Sequence, residues 1–267
     1  EQVLGFSLFD RVRGRLQPTA RGLALYEEVQ RSYQGLERVM ATAHGLREFA
    51  DGQLAVACVP AFAQTLLPGA CRRLRAMHAS ASVAITPQES PMLEEWLSAQ
   101  RFDLGLTEQD SPPPGTQGVP LLAADEVCVL PVGHPLLAQP ALCPEDFRDQ
   151  AFISLSPSDP YRRALDAVFE AQGVPRRLAI ETQSAASVCS LVREGLGVAI
   201  VNPLSALDYR GRGVALRRFS VSIPFRITLV RPDYRPASPL TEEFVTALRE
   251  EAAVFRQNLA QALDSPV

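Results

Sequence analysis

Residues 8–22 read LFDRVRGRLQPTARG, and this short stretch organises the beginning of the chain. The apolar residues Phe9, Val12 and Leu16 recur around Gly14, which predicts two short strands joined by a turn, the shape of a small β-wing. Four arginines lie on or beside it: Arg11, Arg13, Arg15 and Arg21. Because guanidinium groups bind phosphate oxygens through paired hydrogen bonds, we expect these four to contact a DNA backbone. A solvated, charged hairpin explains the spacing equally well.

A helical pattern follows, in which apolar residues recur at alternating spacings of three and four. Its predicted seam consists of Tyr26, Val29, Tyr33, Leu36 and Met40. Gly35 and Gly45 weaken this helix in isolation, so it should need a partner. We therefore expect residues 22–51 to form a linker helix through which two copies dimerise. A single amphipathic helix packed on its own domain is the alternative.

The composition sets limits on the class of protein. The chain has 267 residues, of which 46% are hydrophobic and 21% charged, and this favours a soluble protein with room for two or three domains. Its net charge of −4 excludes a globally basic nucleic-acid coat, so any DNA contact must be local. Five cysteines without CxxC spacing indicate reduced thiols.

The start of the chain and its apolar runs indicate the cellular compartment. No signal peptide is recognisable, and no apolar run approaches the roughly 18 residues of a membrane span, so we expect a cytoplasmic protein. The chain begins without Met, within what reads as a helix, and we expect residues to be missing before it.

Beyond residue 52, short apolar runs alternate with helical stretches. The predicted strands are 54–59, 83–86, 102–106, 127–132, 152–155, 178–182, 198–201 and 227–230. The predicted helices are 66–78, 92–100, 161–172, 185–194 and 240–263. This alternation predicts an α/β fold with mostly parallel sheets, and eight strands divide better into two lobes than into one sheet.

The predicted boundary follows the proline-rich loop 111–120. The first lobe would comprise residues 52–124 and 227–267, and the second would comprise residues 125–226. The chain would cross between them near 124–126 and again near 225–231, which makes a hinge. The return crossing is inferred from two-lobed binding folds.

Polar side chains follow the predicted strands, where the crevice of a parallel sheet lies. Thr65, Ser90, Ser158 and Ser184 are placed to open helices, whose free N–H groups bind anions. The predicted ligand-binding residues are Gln64, Thr65, Glu89, Ser90, Thr107, Glu108, Ser156, Asp159, Arg162, Thr182, Gln183, Ser184 and Asn202. Each of them, taken alone, could instead be a helix cap or a solvated side chain.

Catalytic and metal-binding motifs are weak in this sequence. The segment GFSLF at 5–9 lacks the final glycine of a nucleophile elbow, and neither Gly195-Leu-Gly197 nor Gly211-Arg-Gly213 continues as a dinucleotide motif. His44, His78 and His134 lack a second ligand at i+3 or i+4. We predict no catalytic residue, no metal and no cofactor, although an enzyme of amino-acid metabolism remains an alternative.

Longer strings carry a family resemblance. Residues 8–28, LFDRVRGRLQPTARGLALYEE, resemble the end of the winged helix-turn-helix and the start of the linker helix of LysR-type transcriptional regulators. Three further strings resemble the branch of that family that activates the diaminopimelate decarboxylase gene in lysine biosynthesis. They are QESPMLEEWLSAQRFDLGLTE (88–108), DEVCVLPVGHPL (125–136) and ETQSAASVCSLVREGLGVAIVNPLSALDY (181–209).

The resemblance implies a fold and a set of partners. Residues 1–21 would be the wing that remains of a winged helix-turn-helix, residues 22–51 the linker helix, and the rest a two-lobed, periplasmic-binding-protein-like effector domain. Because base readout comes from a recognition helix that this chain largely lacks, sequence-specific DNA binding is not expected of the chain itself. The implied partners are operator DNA through a complete N-terminal domain, a small amino-acid effector, RNA polymerase and a second copy in a dimer or tetramer, with no membrane.

The implied effector is diaminopimelate, which carries two carboxylates and two ammonium groups. Its carboxylates would meet the helix N-termini at Gln64-Thr65 and Ser184, with added hydrogen bonds from Ser156, Thr182, Gln183 and Arg162. Its ammonium groups would meet Glu89, Glu108 and Asp159. A two-lobed solute-binding protein without DNA function is the runner-up, and it explains neither the arginine wing nor the helical seam.

Overall fold

A computed structural model describes residues 4–12, 15–22, 25–26, 29, 53–235 and 237–264. It divides the chain into one unit up to Gln53 and a second from Leu54 to Val267. In the first unit, β1 (Phe9–Val12) and β2 (Arg15–Pro18) pair antiparallel, which confirms the predicted hairpin. Thr19 then caps a helical turn, since its Oγ1 accepts a hydrogen bond from the Gly22 amide at 2.9 Å.

Several sequence predictions fall partly outside the described residues. Arg13 and residues 30–52, with Tyr33, Leu36 and Met40, lie outside them, and the side chains of Arg11 and Arg15 are not described. Arg21 is exposed, and its guanidinium lies 5.8 Å from the centre of the Phe6 ring. Tyr26 and Val29 are also exposed. The roles of these residues in DNA contact and dimerisation stay predictions.

The second unit begins with a five-stranded sheet in the order β4-β3-β5-β13-β6. Its strands are β3 (Gln53–Cys58), β4 (Ser82–Pro87), β5 (Leu104–Thr107), β6 (Thr116–Asp125) and β13 (Pro224–Pro232). The helices connected to it are α1 (Pro60–Thr65), α2 (Leu67–Met77), α3 (Met92–Ser98) and the C-terminal α7 (Pro239–Asp264). Strand β5 is buried throughout, and α3 turns Leu93 and Leu97 inward beside it.

A second group of strands follows β6. Strands β7 (Val127–Pro131), β8 (Ala141–Leu142), β11 (Ala199–Val201) and β12 (Val214–Phe219) form a sheet in the order β11-β7-β12-β8. Strands β9 (Ala151–Leu155) and β10 (Arg177–Thr182) pair parallel beside it. The helices here are α4 (Pro160–Ala171), α5 (Ala185–Arg193) and α6 (Pro203–Tyr209), with 3-10 turns at Pro135–Ala138 and Pro144–Phe147.

The α/β class and the eight sequence-predicted strands are confirmed, but the prediction of mostly parallel sheets is wrong. Both large sheets are mixed: β3 pairs parallel with β5, whereas β13 pairs antiparallel with β5 and β6, and β7 pairs antiparallel with β11 and β12. The cause is the connectivity. Strand β13 brings the chain back into the first sheet from the opposite end, so it must run against its neighbours.

Strands β6 and β13 are the two crossings, paired from Pro224 opposite Asp125 to Pro232 opposite Thr116. Most of β6 falls in or just after the stretch that the sequence predicts as a proline-rich loop. Pro120 is tolerated in this strand because β6 lies at the sheet edge and a register shift occurs there. The predicted lobe boundaries themselves stay a prediction.

Helix α7 packs on the rest of the second unit and is paired with it near both ends. Its buried face includes Phe244, Leu248 and Phe255, and its bounds agree with the predicted helix 240–263. Near its start, Glu243 pairs with His78 at the end of α2, and at its end Asp264 accepts a hydrogen bond from Arg218 on β12 at 2.6 Å. One helix therefore contacts elements of both sheets.

None of the helices in the described part of the chain combines the length and apolar character needed to cross a bilayer. The cysteines carry free thiols, and Cys58, Cys128 and Cys189 are buried. Burial raises the pKa of the Cys58 and Cys189 thiols to about 12, so both remain protonated at neutral pH.

Candidate functional site

Three carboxylates predicted to bind ammonium groups converge in the structure. Glu89 follows β4 and Glu108 follows β5, both in the first sheet. Asp159 caps α4 beyond β9, where its Oδ1 accepts the amide hydrogens of Tyr161 at 2.8 Å and Arg162 at 3.0 Å. Asp159 acts electrostatically on both glutamates, so loops from the two groups of strands meet in one acidic cluster.

Glu108 interacts with both other acids of this cluster. Burial, followed by the charges of Asp159 and Glu89, raises the pKa of its carboxyl to about 8, while the nearby Tyr161 hydroxyl acts in the opposite direction. Burial and then Asp159 also raise the pKa of Glu89, which is more exposed. Like charges crowded together favour the protonated forms, and a cation placed among them would reverse that preference.

Tyr161 was not predicted as a site residue, yet it connects the elements around the cluster. Its ring lies 5.9 Å from that of Phe225 on β13. Its hydroxyl lies within hydrogen-bonding reach of the Glu108 carboxyl and of the Arg226 backbone. Burial and the surrounding acids raise the Tyr161 pKa, so the hydroxyl stays a donor. In the sequence, an aromatic residue in the first turn of a helix has the pattern of a core residue, so nothing marks Tyr161 as part of a site.

Two further acids, Glu94 and Glu126, are not among the residues predicted from the sequence. Glu94 on α3 accepts hydrogen bonds at Oε1 from Ser90 at 2.7 Å and from Thr107 at 2.8 Å. Those two hydroxyls therefore already have a partner within the protein. Glu126, between β6 and β7, is buried and carries no hydrogen bond to its carboxylate within the described part of the chain.

The predicted helix N-terminus at Gln64-Thr65 is wrong. Helix α1 starts at Pro60 and α2 at Leu67, and Thr65 ends α1, where its hydroxyl donates to the Ala61 carbonyl at 2.7 Å. Both helices have proline in the first turn, where its fixed φ favours helix initiation, and this overrides the capping preference of Thr65.

Of the other helix starts predicted, only Ser184 is an N-cap: its hydroxyl accepts the Ser187 amide hydrogen at 3.4 Å. Ser90 and Ser158 each lie one residue before the cap, at Pro91 and Asp159. Asn202 caps α6 through Oδ1, which accepts from the Ser205 amide at 2.9 Å.

The strand ends of β9 and β10 bring further predicted residues together. Leu155 lies opposite Thr182 in parallel register, so Ser156 and Gln183 leave the sheet side by side. The Ser156 hydroxyl also lies 2.9 Å from that of Ser158. Together with the N-terminus of α5, these groups can supply hydrogen-bond donors to a carboxylate.

Arg162 is mostly committed to the protein itself. Its buried Nη1 donates to the Ser154 hydroxyl, the Leu155 carbonyl and Glu181 Oε1 at 2.7 to 2.9 Å, and its Nε donates to Asp166 at 2.7 Å. Only Nη2 makes no hydrogen bond within the described residues. Arg162 therefore joins β9, β10 and α4, and its predicted contact with the effector would have to use Nη2.

The acidic cluster predicts how stability depends on pH. Glu108 has an ordinary pKa of 4.5 and a native pKa of about 8, so between these values the native protein keeps a proton that the unfolded chain has lost. The free energy of unfolding should therefore fall as the pH rises from about 5 to about 8.

Urea denaturation at several pH values measures this slope. Glu108→Gln cannot titrate and should flatten the curve, whereas Glu95→Gln, at an exposed position on α3, should leave it unchanged. Parallel curves for wild type and Glu108→Gln would contradict the assignment.

No group of three or more potential metal ligands is arranged to hold an ion among the residues that the structure describes. The arrangement instead suits an organic ligand with cationic and anionic ends. Acids lie at the ends of β4 and β5 and at the cap of α4, and hydroxyl, amide and helix N-terminal donors follow β9 and β10.

Comparisons with known proteins agree with this architecture. Residues 47–253 match the family described as the LysR substrate binding domain. The chain is 53% identical over 244 residues to the transcriptional activator protein LysR of Escherichia coli K12, covering 91% of this chain and 78% of that protein. It is 33% identical over 248 residues to the regulatory protein NocR of Agrobacterium tumefaciens T37, covering 93% and 83%.

Solved structures show the same fold at lower identity. The LysR-family regulator HinK of Pseudomonas aeruginosa has a TM-score of 0.62 and 22% identity, with 88% of this chain and 81% of that chain covered. These three relatives are a transcriptional activator, a regulatory protein and a transcriptional regulator.

Proposed function

Because the chain belongs to the LysR family of transcriptional regulators, we propose that its second unit senses diaminopimelate and that it activates lysine-biosynthesis genes in the cytoplasm. Membership of the family establishes a regulator with an effector-binding domain. The identity of the effector and of the target genes is the proposal, and it extends the similarity to the Escherichia coli activator.

The observation that carries the proposal is the convergence of Glu89, Glu108 and Asp159. The charge of Asp159 raises the cost of ionising Glu89 and Glu108, and Glu89 adds to the cost for Glu108, unless a cation lies among them. An ammonium group supplies that cation, and a carboxylate on the same ligand can meet the donors after β9 and β10. Diaminopimelate carries both kinds of group at both ends of a short chain.

Isothermal titration calorimetry of the chain with diaminopimelate tests this directly. Pimelate, which has the same carboxylates and no ammonium groups, is the matched control. We expect heat and saturation with diaminopimelate only, and a rise in melting temperature, because a ligand that binds only the native state stabilises it. Absence of binding would remove the effector assignment and leave the family membership intact.

The remaining partners belong to the same proposal. Arg11, Arg13, Arg15 and Arg21 would contact phosphate oxygens of operator DNA within a complete winged helix-turn-helix. Residues 22–51 would hold two copies together, with assembly to a tetramer and contact with RNA polymerase at the promoter. Arginine contacts of this kind position the protein on DNA without reading its sequence.

Dimerisation through the linker helix has its own test. Replacing Val29 and Leu36 together with aspartate would bury unpaired charges in an apolar seam, which costs several kcal/mol. Sedimentation should show a smaller species for this double variant. The matched control is Glu37→Asp, since residue 37 lies outside the predicted seam. Equal masses for wild type and the double variant would exclude the seam as an essential contact.

A further inference from the structure

Glu126 occupies a particular position in the fold. It is the single residue between β6 and β7, where the chain passes from the five-stranded sheet to the four-stranded one. Its amide donates to the Ile223 carbonyl at 3.0 Å, directly before β13, the return crossing. The backbone of Glu126 therefore continues from β6 and is hydrogen-bonded to the residue before β13. Glu126 is only 2% exposed.

The carboxylate of Glu126 is unsatisfied. Neither oxygen has a hydrogen-bond partner within the described part of the chain. Buried polar groups are almost always hydrogen-bonded, and a buried carboxylate without a counter-charge is costly. Glu126 adds nothing to the described hydrogen-bond network through its side chain, so stability does not explain why a carboxyl lies here.

The surroundings of Glu126 coincide with the acidic cluster. Its charge interacts with those of Glu108 and Asp159 and with the Tyr161 hydroxyl, so Glu126 belongs electrostatically to the same cluster. The titratable groups that interact electrostatically with Glu126 are Glu108, Asp159, Tyr161 and Cys189, together with its exposed neighbour in the chain, Asp125. All of these are acidic groups or protonated neutral ones, and no cation among them neutralises Glu126.

We propose that Glu126 is a specificity-determining residue that binds one ammonium group of the effector at the inner end of this cluster. The inference deepens the proposed function and rests on it. Glu108, Asp159 and Glu89 would then define the outer part of the same cationic subsite. A ligand that carries a methylene in place of that ammonium group would leave Glu126 without a partner.

Proton release follows from this arrangement. Burial and neighbouring acids raise the pKa of both Glu126 and Glu108, in the latter to about 8, so without a ligand Glu108 holds a proton at neutral pH and the protonated form of Glu126 is favoured. An ammonium group between them favours the ionised forms, and the protons leave to solvent. Binding of an amino acid with two ammonium groups should therefore release protons and strengthen as the pH rises from about 6 to about 8.

The experiment compares Glu126→Gln with Asp125→Asn by calorimetry. Asp125 is the matched control because it is the adjacent residue, is exposed, and accepts a hydrogen bond from Ser222 at 2.6 Å. Both variants lose one negative charge, but only Glu126→Gln removes the buried one. The ligands are diaminopimelate and 2-aminopimelate, which differ by a single ammonium group.

We expect Glu126→Gln to bind diaminopimelate at least about tenfold more weakly than wild type, because the second ammonium group of the ligand loses a buried counter-charge. Binding of 2-aminopimelate should change by less than about threefold, and Asp125→Asn should resemble wild type with both ligands. Titrations in two buffers of different ionisation enthalpy should show fewer protons released by Glu126→Gln than by wild type.

The contrary outcomes are distinguishable. Wild-type diaminopimelate affinity and unchanged proton release in Glu126→Gln would overturn the role of Glu126 while the proposed function stands. Equal losses for both ligands would show a structural role only and would also overturn it. Absence of diaminopimelate binding in wild type would remove the proposed effector, and this inference with it.

Discussion

Replacing Glu108 with glutamine is expected to weaken diaminopimelate binding by at least about tenfold while the fold persists. The charges of Asp159 and Glu89 both act on Glu108, whose carboxyl lies within reach of the Tyr161 hydroxyl. The glutamine keeps the shape and a hydrogen-bonding group, and it removes the charge that an ammonium group needs. Leaving a buried ammonium group unpaired costs about 2 to 5 kcal/mol.

Calorimetry with diaminopimelate measures this loss of affinity, and two further variants are compared with Glu108→Gln. Glu89→Gln should also lose affinity by at least about tenfold. Ser184→Ala should lose less, because Ser184 caps α5 and the helix N–H groups remain in place. The control Glu95→Gln removes a charge from the exposed face of α3 and should bind as wild type does. Near-wild-type affinity in both Glu108→Gln and Glu89→Gln would refute the ammonium site.

Replacing Phe225 with alanine is expected to lower the free energy of unfolding by about 3 to 5 kcal/mol. Phe225 lies on the return crossing β13 and is fully buried. Its ring packs edge-on against Phe62 of α1 at 6.4 Å and lies 5.9 Å from Tyr161 of α4. Truncation would leave a cavity where these three elements meet, and the surrounding structure could fill it only in part.

Urea denaturation of Phe225→Ala and the control Phe225→Leu measures this cost. The leucine fills much of the same volume, so its loss should be clearly smaller. Because the Tyr161 ring packs against the Phe225 ring, the alanine variant should also bind diaminopimelate more weakly under conditions in which it is fully folded. Equal stabilities of the alanine and leucine variants would show that the site collapses without a cavity.

Elements that depend on local pattern are predictable from the sequence. The hairpin β1–β2, the eight apolar strands and the five longer helical stretches follow from alternation, helical spacing and turn residues. Strand β6 does not, because Pro112, Pro113, Pro114 and Pro120 mark its region as a loop. Its long pairing with β13, some hundred residues away, decides the outcome instead.

The candidate site divides in the same way. Glu89, Glu108 and Asp159 are predictable because they are the acidic residues in loops that follow apolar strands. Glu126 and Tyr161 carried no such signal. Glu126 lies between two apolar strands and has the local pattern of a turn residue, while Tyr161 has that of the start of an amphipathic helix.

The sequence by itself determined the family resemblance, the α/β class and the positions of polar loops after strands, because these depend on residues close together in the chain. Only the tertiary structure decided that the sheets are mixed, that Thr65 ends a helix, that Arg162 is largely occupied by Ser154, Asp166 and Glu181, and that Glu126 is buried within the electrostatic influence of Glu108. Burial and electrostatic partners are set by which distant segments the two crossings bring together. No local pattern of residues encodes that juxtaposition, since the energy of a buried charge depends on all the groups around it.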